Sequence, residues 1–436
     1  MLNIQTVSVI GANGTMGATV AGLIAAFGNA KVFLICRKKE AALKAVETAV
    51  GSVRADSIRK KLIPCTYEDF ESCVGQSDWV FESVAEDTVV KSEIYQRIER
   101  CRKPELIVTT GTSGFSINEL GKNFNTAGQK RFFGTHFFNP PYVLTLCEVI
   151  RTGKTDPALF SDMQAYLEKV LHRDVIETAD APAFLGNRIG FHFLNKALQY
   201  AVRYSKEGGI DYIDAVLGPF TGRGMTPLIT VDFVGLDVHK AIVDNIYAHS
   251  MDYDHSAFLL PDFVLKLIAQ GKLGVKTKEG FFKTVANGDK TKQVLVYDIA
   301  SGDLRPIRKY KLPFAMQMVS HLSAGNYGKA MQALKDDASG EALICRHFLA
   351  SYIAYAFTTA GNVSPKLADA DIAMTTGFNW IGPLALTQAL GGYGEVLKMA
   401  AQADFEGNLA ARLRGIGEKG ITAAPFDYRK SLRAVL

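Results

Sequence analysis

The stretch TVSVIGANGTMG, residues 6–17, decides how the amino-terminal part of the chain folds. Residues 6–10 are mostly apolar and β-branched, which is typical of a strand. A glycine-rich turn and an apolar helix-like segment, residues 15–27, follow. This order opens a dinucleotide-binding βαβ unit, because glycines let the backbone approach a pyrophosphate and the helix offers it free N–H groups. The residues expected to hold the cofactor here are Gly11, Asn13, Gly14, Thr15, Met16 and Gly17.

Two details of this unit depart from the common pattern. The glycines at 11, 14 and 17 are spaced with one residue more than in G-x-G-x-x-G. At the end of the second strand-like segment, residues 31–36, an NAD site usually places an acid that accepts the ribose 2′-hydroxyl. This chain has Cys36 and then Arg37 there. We expect NAD first and leave NADP open, since Arg37 could meet a 2′-phosphate, stack on the adenine or point to solvent.

The alternation of strands and helices continues through the first third of the chain. Further strand-like segments lie at residues 79–83, 106–110, 132–135 and 144–150, with a helix-like segment at 89–100. Such alternation predicts a parallel, doubly wound sheet. From about residue 183 helical periodicity dominates, and an alternating run at 294–299 within a polar segment predicts a hairpin.

The helical part contains an internal repeat. Phe193-Leu194 with Tyr200-Ala201 resembles Phe348-Leu349 with Tyr355-Ala356, and similar proline-containing segments follow at 225–228 and 381–384. Duplicated helical units usually pack against one another. We therefore predict an α/β Rossmann-type domain followed by two all-α helical domains. The boundaries are 1–181 for the first domain, 182–284 for the second, 285–335 for a linker with the hairpin, and 336–436 for the second, degenerate repeat.

Composition narrows the classes of function. The 436 residues carry a net charge of +5 without a long basic block, which argues against a nucleic-acid partner. The six cysteines form no CxxC pair, so no metal site is expected. No apolar run reaches about 18 residues and no signal segment is recognisable, so we expect no membrane span and a cytoplasmic location.

One histidine is the candidate catalytic base. His136 lies in THFFNPP and Glu148 in LCEVI, two strand-like segments joined by a turn. If the segments pair, Glu148 would contact the imidazole, fix its tautomer and stabilise its protonated form. From local chemistry alone, a histidine among phenylalanines is more often a packed core residue, and that alternative stays open here.

Several segments together resemble one family. HFFNP at 136–140 with Glu148 is similar to the signature of the 3-hydroxyacyl-CoA dehydrogenases. The likeness continues in VFESVAE at 80–86, VKSE at 90–93, FLGNR at 184–188, DFVGLD at 232–237 and KTKEGFF at 276–282. It covers about residues 4–284, and the remainder looks like the second helical repeat of longer members.

The resemblance implies an activity and a set of site residues. It implies an NAD(P)-dependent (S)-3-hydroxyacyl-CoA dehydrogenase of β-oxidation or related acyl-CoA metabolism, with a small-molecule acyl-CoA as partner and an oligomer as an open option. By the same resemblance His136 is the base and Glu148 orients it. Ser113 and Asn187 bind the substrate, while Glu86, Lys91, Ser113 and Lys276 help to hold the dinucleotide.

Departures from the family keep two other functions open. Gly111 replaces the asparagine expected before Thr112-Ser113, and the insert at 37–64 is shorter than the helical arm that grips CoA in single-repeat members. The basic run Arg59-Lys60-Lys61 could meet CoA phosphates or form a solvated face. The alternatives are a dehydrogenase of a non-CoA hydroxy acid, of the sugar-acid or carnitine type, and a non-catalytic, crystallin-like relative.

Overall fold

The computed structural model describes residues 2–286 and 291–417. Contacts divide the chain into two units: one reaches Phe184 and includes residues 363–365, and the other comprises the remaining residues from Leu185. Parts of the predicted linker (287–290) and of the predicted second repeat (418–436) lie outside the described residues.

The first unit is built on an eight-stranded sheet with the order β3-β2-β1-β4-β5-β6-β7-β8. Its strands are β1 (Thr6–Ile10), β2 (Lys31–Cys36), β3 (Leu62–Thr66), β4 (Trp79–Glu82), β5 (Ile107–Thr110), β6 (Phe132–Phe137), β7 (Leu146–Arg151) and β8 (Asp174–Glu177). The strands from β3 to β6 are parallel, β7 is antiparallel to β6, and β8 is parallel to β7. The predicted Rossmann-type sheet is confirmed.

Helices join these strands. They are α1 (Thr15–Phe27), α2 (Lys39–Val53), α3 (Phe70–Gln76), α4 (Thr88–Cys101), α5 (Ile117–Gly121), α6 (Thr126–Gln129) and α7 (Pro157–Lys169). Buried side chains form one cluster around α1, α2 and α7 and another around α3, α4 and α5. Val9 belongs to the first cluster and its neighbour Ile10 to the second. The central strands are mainly apolar and buried because both faces of the sheet are covered.

The second unit is mainly helical. Its helices are α8 (Gly186–Arg203), α9 (Ile210–Leu217), α10 (Pro227–Val234), α11 (Leu236–His249), α12 (Asp262–Ala269), α13 (Pro313–Ser323), α14 (Tyr327–Asp336), α15 (Gly340–Val363), α16 (Ala368–Gly377), α17 (Pro383–Ala389), α18 (Tyr393–Gln402) and α19 (Leu409–Ile416). Strands β9 (Phe282–Ala286), β10 (Lys292–Tyr297) and β11 (Leu304–Pro306) form a small antiparallel sheet.

The two helical repeats pack on each other within this unit. Phe193 of α8 meets Phe348 of α15 edge to face, with ring centroids 5.4 Å apart. The loop before α10 pairs with the loop before α17, where Ile381 N donates to the Gly222 carbonyl at 2.7 Å. The predicted packing of the repeats is therefore confirmed for the residues that the structure describes.

Candidate active site

The glycine turn after β1 leaves no room for a side chain at Gly11 or at Gly17. Gly11 has a φ of +79°, and a Cβ there would lie 2.4 Å from the Ser83 carbonyl oxygen. A Cβ at Gly17, in the first turn of α1, would lie 2.7 Å from the Gly11 carbonyl oxygen. Gly14 has ordinary space around it and precedes Thr15, where α1 begins without a side-chain cap. At these glycines no side chain stands between the backbone near the N-terminus of α1 and a ligand, and a bound pyrophosphate needs this close approach.

A cavity of about 390 Å³ opens beside this turn. Its lining includes Gly11, Asn13 and Gly14 of the turn, and also Arg37 and Tyr67. Cys36, at the end of β2, is buried, and the backbone N–H of Asn13 donates to its sulfur. Burial raises the pKa of the Cys36 thiol, so the sulfur stays neutral where related sites place an acid. Arg37 is exposed at the cavity.

His136 and Glu148 lie directly opposite each other on the antiparallel strands β6 and β7. The His136 Nδ1 and a Glu148 carboxylate oxygen are 2.7 Å apart, and both side chains are buried. A carboxylate only accepts hydrogen bonds, so Nδ1 carries the hydrogen and Nε2 of the neutral ring has a free lone pair. The contact expected from the sequence is present.

Aromatic rings pack against the His136 imidazole. The ring of Phe138 is 4.7 Å from it and that of Phe184 is 5.5 Å from it, centroid to centroid. These contacts fix the plane of the imidazole, and the carboxylate fixes its tautomer. The pair has the geometry of a general base with its orienting acid.

The loop after β5 carries Ser113 and is held by Glu86. A carboxylate oxygen of Glu86 accepts the Ser113 backbone N–H at 2.8 Å and the Thr112 hydroxyl at 2.8 Å. The side chain of Glu86 remains 44% exposed. Because the carboxyl ends of β1, β4, β5 and β6 share one edge of the sheet, this loop lies at the edge that carries the glycine turn and His136.

Lys91 is buried within this site. Only 1% of its side chain is exposed, and its ammonium lies 2.9 Å from Glu82 and 3.4 Å from Glu86. Glu82, the last residue of β4, was not among the predicted site residues, although an acid that ends an otherwise apolar strand is a signal that the sequence contains. Burial and the Glu82 carboxylate raise the pKa of Tyr95, which donates a hydrogen bond to Glu82.

Two predicted site residues belong to the helical unit. Asn187 is buried in the first turn of α8. Lys276 lies in a short helical turn, Val275–Thr277, and forms an ion pair with the partly exposed Asp237.

The basic run that could meet CoA phosphates is largely engaged within the chain. Arg59 forms ion pairs with Glu47 and Asp56. The Lys61 ammonium donates to the carbonyl oxygen of Ala25 and to the side chain of Asn29. These contacts favour the solvated-face interpretation for both residues.

Residues 2–286 and 291–417 contain neither a candidate metal site nor a candidate membrane-spanning helix. No group of three or more His, Cys, Asp or Glu side chains there is arranged to hold a metal ion. Within the same described part, no helix combines the length and the apolar character needed to cross a bilayer.

A Rossmann-type sheet with a bare glycine turn and a buried histidine–carboxylate pair at one edge is typical of nicotinamide-dependent dehydrogenases. Comparison with known proteins narrows this class. Residues 6–181 match the family model described as 3-hydroxyacyl-CoA dehydrogenase, NAD binding domain, and residues 184–284 match that of the C-terminal domain of the same family. The chain belongs to the 3-hydroxyacyl-CoA dehydrogenase family, and its amino-terminal domain is an NAD-binding domain of that family.

Curated relatives carry the same family name. A probable 3-hydroxyacyl-CoA dehydrogenase of Bacillus subtilis is 29% identical over 76% of this chain, and the match spans 41% of that relative's length. The mitochondrial hydroxyacyl-coenzyme A dehydrogenase of Mus musculus is 32% identical over 64% of this chain and 91% of its own length.

Solved structures are similar over the same region or over the whole chain. An (S)-3-hydroxybutyryl-CoA dehydrogenase from Ralstonia eutropha is 27% identical with a TM-score of 0.55, covering 64% of this chain and 98% of that one. A 3-hydroxybutyryl-CoA dehydrogenase from Escherichia coli has a TM-score of 0.68 over 100% of this chain and 99% of that one. At 21% identity the second likeness shows the fold alone.

Proposed function

We propose that the chain is an (S)-3-hydroxyacyl-CoA dehydrogenase that acts in β-oxidation or related acyl-CoA metabolism. The observation that carries the proposal is the 2.7 Å contact between His136 and Glu148, in the segment that matches the family's NAD-binding domain. The curated relatives named as 3-hydroxyacyl-CoA dehydrogenases support it.

In the proposed reaction His136 Nε2 takes the proton of the substrate's 3-hydroxyl. Glu148 keeps the hydrogen on Nδ1 and stabilises the positive charge that the ring gains. When bound, the nicotinamide supplies the acceptor for the hydride that leaves C3, so the alcohol becomes a ketone. Ser113 and Asn187 are proposed to donate hydrogen bonds to the substrate oxygens and to hold C3 in place.

The residues around the glycine turn fit a dinucleotide. A Cβ would fill the space at Gly11 and Gly17, and the N-terminus of α1 is free of a side-chain cap. NAD is the proposed cofactor, and we propose that NADP is tolerated because the end of β2 carries neutral Cys36 and exposed Arg37 in place of an acid that would repel a 2′-phosphate. Replacing Arg37 with Ala should then raise the KM for NADPH far more than that for NADH, and equal effects would contradict the tolerance.

A dehydrogenase of a non-CoA hydroxy acid is the second candidate. It is favoured by the short connection between β2 and β3, which holds α2 and one short helical turn, Asp56–Lys61, where Arg59 is engaged in ion pairs. Turnover of acetoacetyl-CoA and of acetoacetate, each with NADH and with NADPH, separates the two candidates. Activity on acetoacetate alone would reject the thioester as substrate.

The roles of the base and its partner are tested by His136→Ala, Glu148→Gln and the double variant. Loss of a general base costs about 10²- to 10⁴-fold in turnover. Because the two residues act as one unit, the double variant should be little slower than His136→Ala alone. NADH binding, followed by fluorescence, serves as the folding control. Turnover near the wild-type rate in His136→Ala, or losses that multiply fully, would show that the roles are wrong.

A further inference from the structure

Asn187 lies in the first turn of α8, at a helix start that does not hold itself in place. The residues before the helix, Ala183 and Phe184, have positive φ values of 58° and 53°. Such a strained backbone persists only where neighbouring contacts fix it. Leu185, where the helix begins, has an apolar side chain and makes no capping hydrogen bond. The position of Asn187 therefore depends on contacts of the residues beside it.

Arg188, the next residue along the helix, supplies such a contact. Its guanidinium is buried and forms an ion pair with Asp252 in the loop after α11, with Nε 3.0 Å from one carboxylate oxygen. Nη2 donates to the other carboxylate oxygen and to the Ser250 hydroxyl, the latter at 2.7 Å. Two hydrogen bonds to one carboxylate fix the orientation of a guanidinium as well as its position. Arg188 thus ties the first turn of α8 to this loop.

The loop is held in turn by the second repeat. Tyr355 of α15 is buried, and its hydroxyl donates to the Asp252 oxygen that also accepts Arg188 Nε. Burial by itself would raise the pKa of Asp252, but the hydrogen bonds from Arg188 and Tyr355 hold this pKa below its ordinary value, so the carboxylate keeps its charge. A chain of three polar side chains therefore connects α15 with the first turn of α8.

The corresponding positions at the start of α15 do not repeat this chain. The internal repeat aligns Tyr355 with Tyr200 and Arg188 with Leu343. The Tyr200 hydroxyl is buried and, among the residues that the structure describes, it has no hydrogen-bond partner. Within that part of the chain, a tyrosine hydroxyl thus supports the helix start that carries Asn187 and not the related helix start in the other repeat.

We infer that Tyr355 and Asp252 are positioning residues, which act through Arg188 on the first turn of α8 and so hold Asn187 where it binds the substrate. The second repeat then takes part in the reaction of the first, although it carries none of the predicted site residues. The inference rests on the proposed function, because it assigns partners to a residue of that site.

Tyr352 offers a matched control in the same helix. It is as buried as Tyr355, with 1% of each residue exposed, and its hydroxyl donates to the Ile381 carbonyl oxygen at 2.7 Å, just before α17. Tyr352→Phe therefore removes a buried tyrosine hydrogen bond from α15 and leaves the contacts of Asp252 in place. The test variants are Tyr355→Phe and Arg188→Met, each with its melting temperature measured.

Amide hydrogen exchange of Ile189 is the first measurement, because it needs neither substrate nor cofactor. The Ile189 N–H donates to the Leu185 carbonyl at 3.1 Å, so its exchange reports the opening of the first turn of α8. We expect exchange at least about tenfold faster in Arg188→Met and at least about threefold faster in Tyr355→Phe, with no change in Tyr352→Phe. Unchanged exchange in Tyr355→Phe, or an equal increase in both tyrosine variants, would overturn the inference. If Arg188→Met does not fold, Tyr355→Phe carries the test alone.

Kinetics test whether the chain acts through Asn187. Arg188→Met should lower kcat/KM for acetoacetyl-CoA on the order of 10- to 100-fold, because a displaced donor loses most of its effect, with little change in the KM for NADH. In an Asn187→Ala background the same change should cost less than about threefold, since the residue through which it acts is gone. Losses that multiply fully would overturn the inference, because a purely structural role of Arg188 would lower both backgrounds alike. If the wild type does not turn over acetoacetyl-CoA, the proposed function fails, while the exchange measurement still decides whether Tyr355 holds the first turn of α8.

Discussion

The helical unit contains two repeated halves, one that includes α8 and one that includes α15. A histidine in each half stacks on a tyrosine in the other half. His192 of α8 stacks on Tyr355 of α15, with ring centroids 3.7 Å apart. His347 of α15 stacks on Tyr200 of α8, with centroids 5.9 Å apart. Such reciprocal contacts define an isologous interface, here formed within one chain. The segments that repeat in the sequence therefore also repeat their packing contacts.

The same reciprocity extends to the helix ends. The Asp214 carboxylate accepts the Leu228 N–H at 2.8 Å, where α10 begins, and the Asp371 carboxylate accepts the Leu384 N–H at 2.7 Å, where α17 begins. Each acid satisfies backbone donors that the first turn of a helix leaves open. Both halves of the helical unit therefore contain an aspartate that caps the start of a helix.

The halves differ where chemistry is expected. Alignment of Phe193 with Phe348 pairs Asn187 with Ala342, so the second half has no amide at that position. The same alignment pairs Lys196 with Ser351, and the two side chains lie 3.4 Å apart. The two halves thus share packing residues, whereas the predicted site residue Asn187 and the buried Lys196 align with residues of another type, Ala342 and Ser351.

The largest expected effect comes from Asn187. If it donates to the substrate, Asn187→Ala should lower kcat/KM on the order of 10²- to 10³-fold, as the loss of a fixed donor to a developing charge does. The matched change in the other half, Ala342→Ser, should leave kcat/KM near the wild-type value. Initial rates with acetoacetyl-CoA and NADH measure both. Similar losses in the two variants would place the site residues in both halves and break the comparison.

The next largest effect is expected on stability, when Lys196 is replaced. Its ammonium is buried between Asp254, at 3.0 Å, and Glu406, at 2.6 Å. Lys196→Met removes the ammonium that both acids contact and should lower the free energy of unfolding by about 2–4 kcal/mol. This loss is smaller than the loss expected for a fully buried ion pair, because the side chain of Glu406 is 36% exposed. Ser351→Ala at the related position should cost less than about 1 kcal/mol. Urea unfolding midpoints compare them, and equal shifts would argue against an asymmetric interface.

Local patterns predicted much of this molecule. The boundaries of β1, α1 and β2 agree with the sequence-based segments because each is a predominantly apolar run close to a turn that contains glycine. β3 was missed since Pro64 lies in it, a residue tolerated there because β3 is an edge strand. The hairpin pairing of His136 with Glu148 was predictable from two nearby strands.

Other features depend on contacts between distant parts of the chain. The sequence places Lys91 among charged residues of α4, and nothing local indicates that its ammonium turns inward. Its burial follows from Glu82 on the neighbouring strand, itself buried by the sheet order. The resemblance to the family could indicate which residues belong to the site. Whether a charged side chain points into the protein or towards solvent could be read only from the fold.

The smallest effect concerns pH and should be shared by both halves. Burial raises the pKa of Asp214 to about 7 and that of Asp371 to about 6. An unfolded aspartate has a pKa of about 3.9, so between these values the folded state binds more protons, and stability is lost as pH rises. Each acid should contribute about 1 kcal/mol of this loss between pH 5 and pH 6.

The wild-type slope alone does not isolate this contribution. Burial lowers the pKa of His239 to about 3, so that histidine destabilises the folded state as pH falls below its unfolded value of about 6.5, in the opposite direction. The measurement is therefore the difference in unfolding free energy between wild type and Asp371→Asn or Asp214→Asn at each pH. For Asp371 the difference should stop changing near pH 6, and for Asp214 it should continue to about pH 7. A difference independent of pH in one half only would mean that the two carboxylates do not have the same surroundings, and the reciprocity would then end at the helix caps.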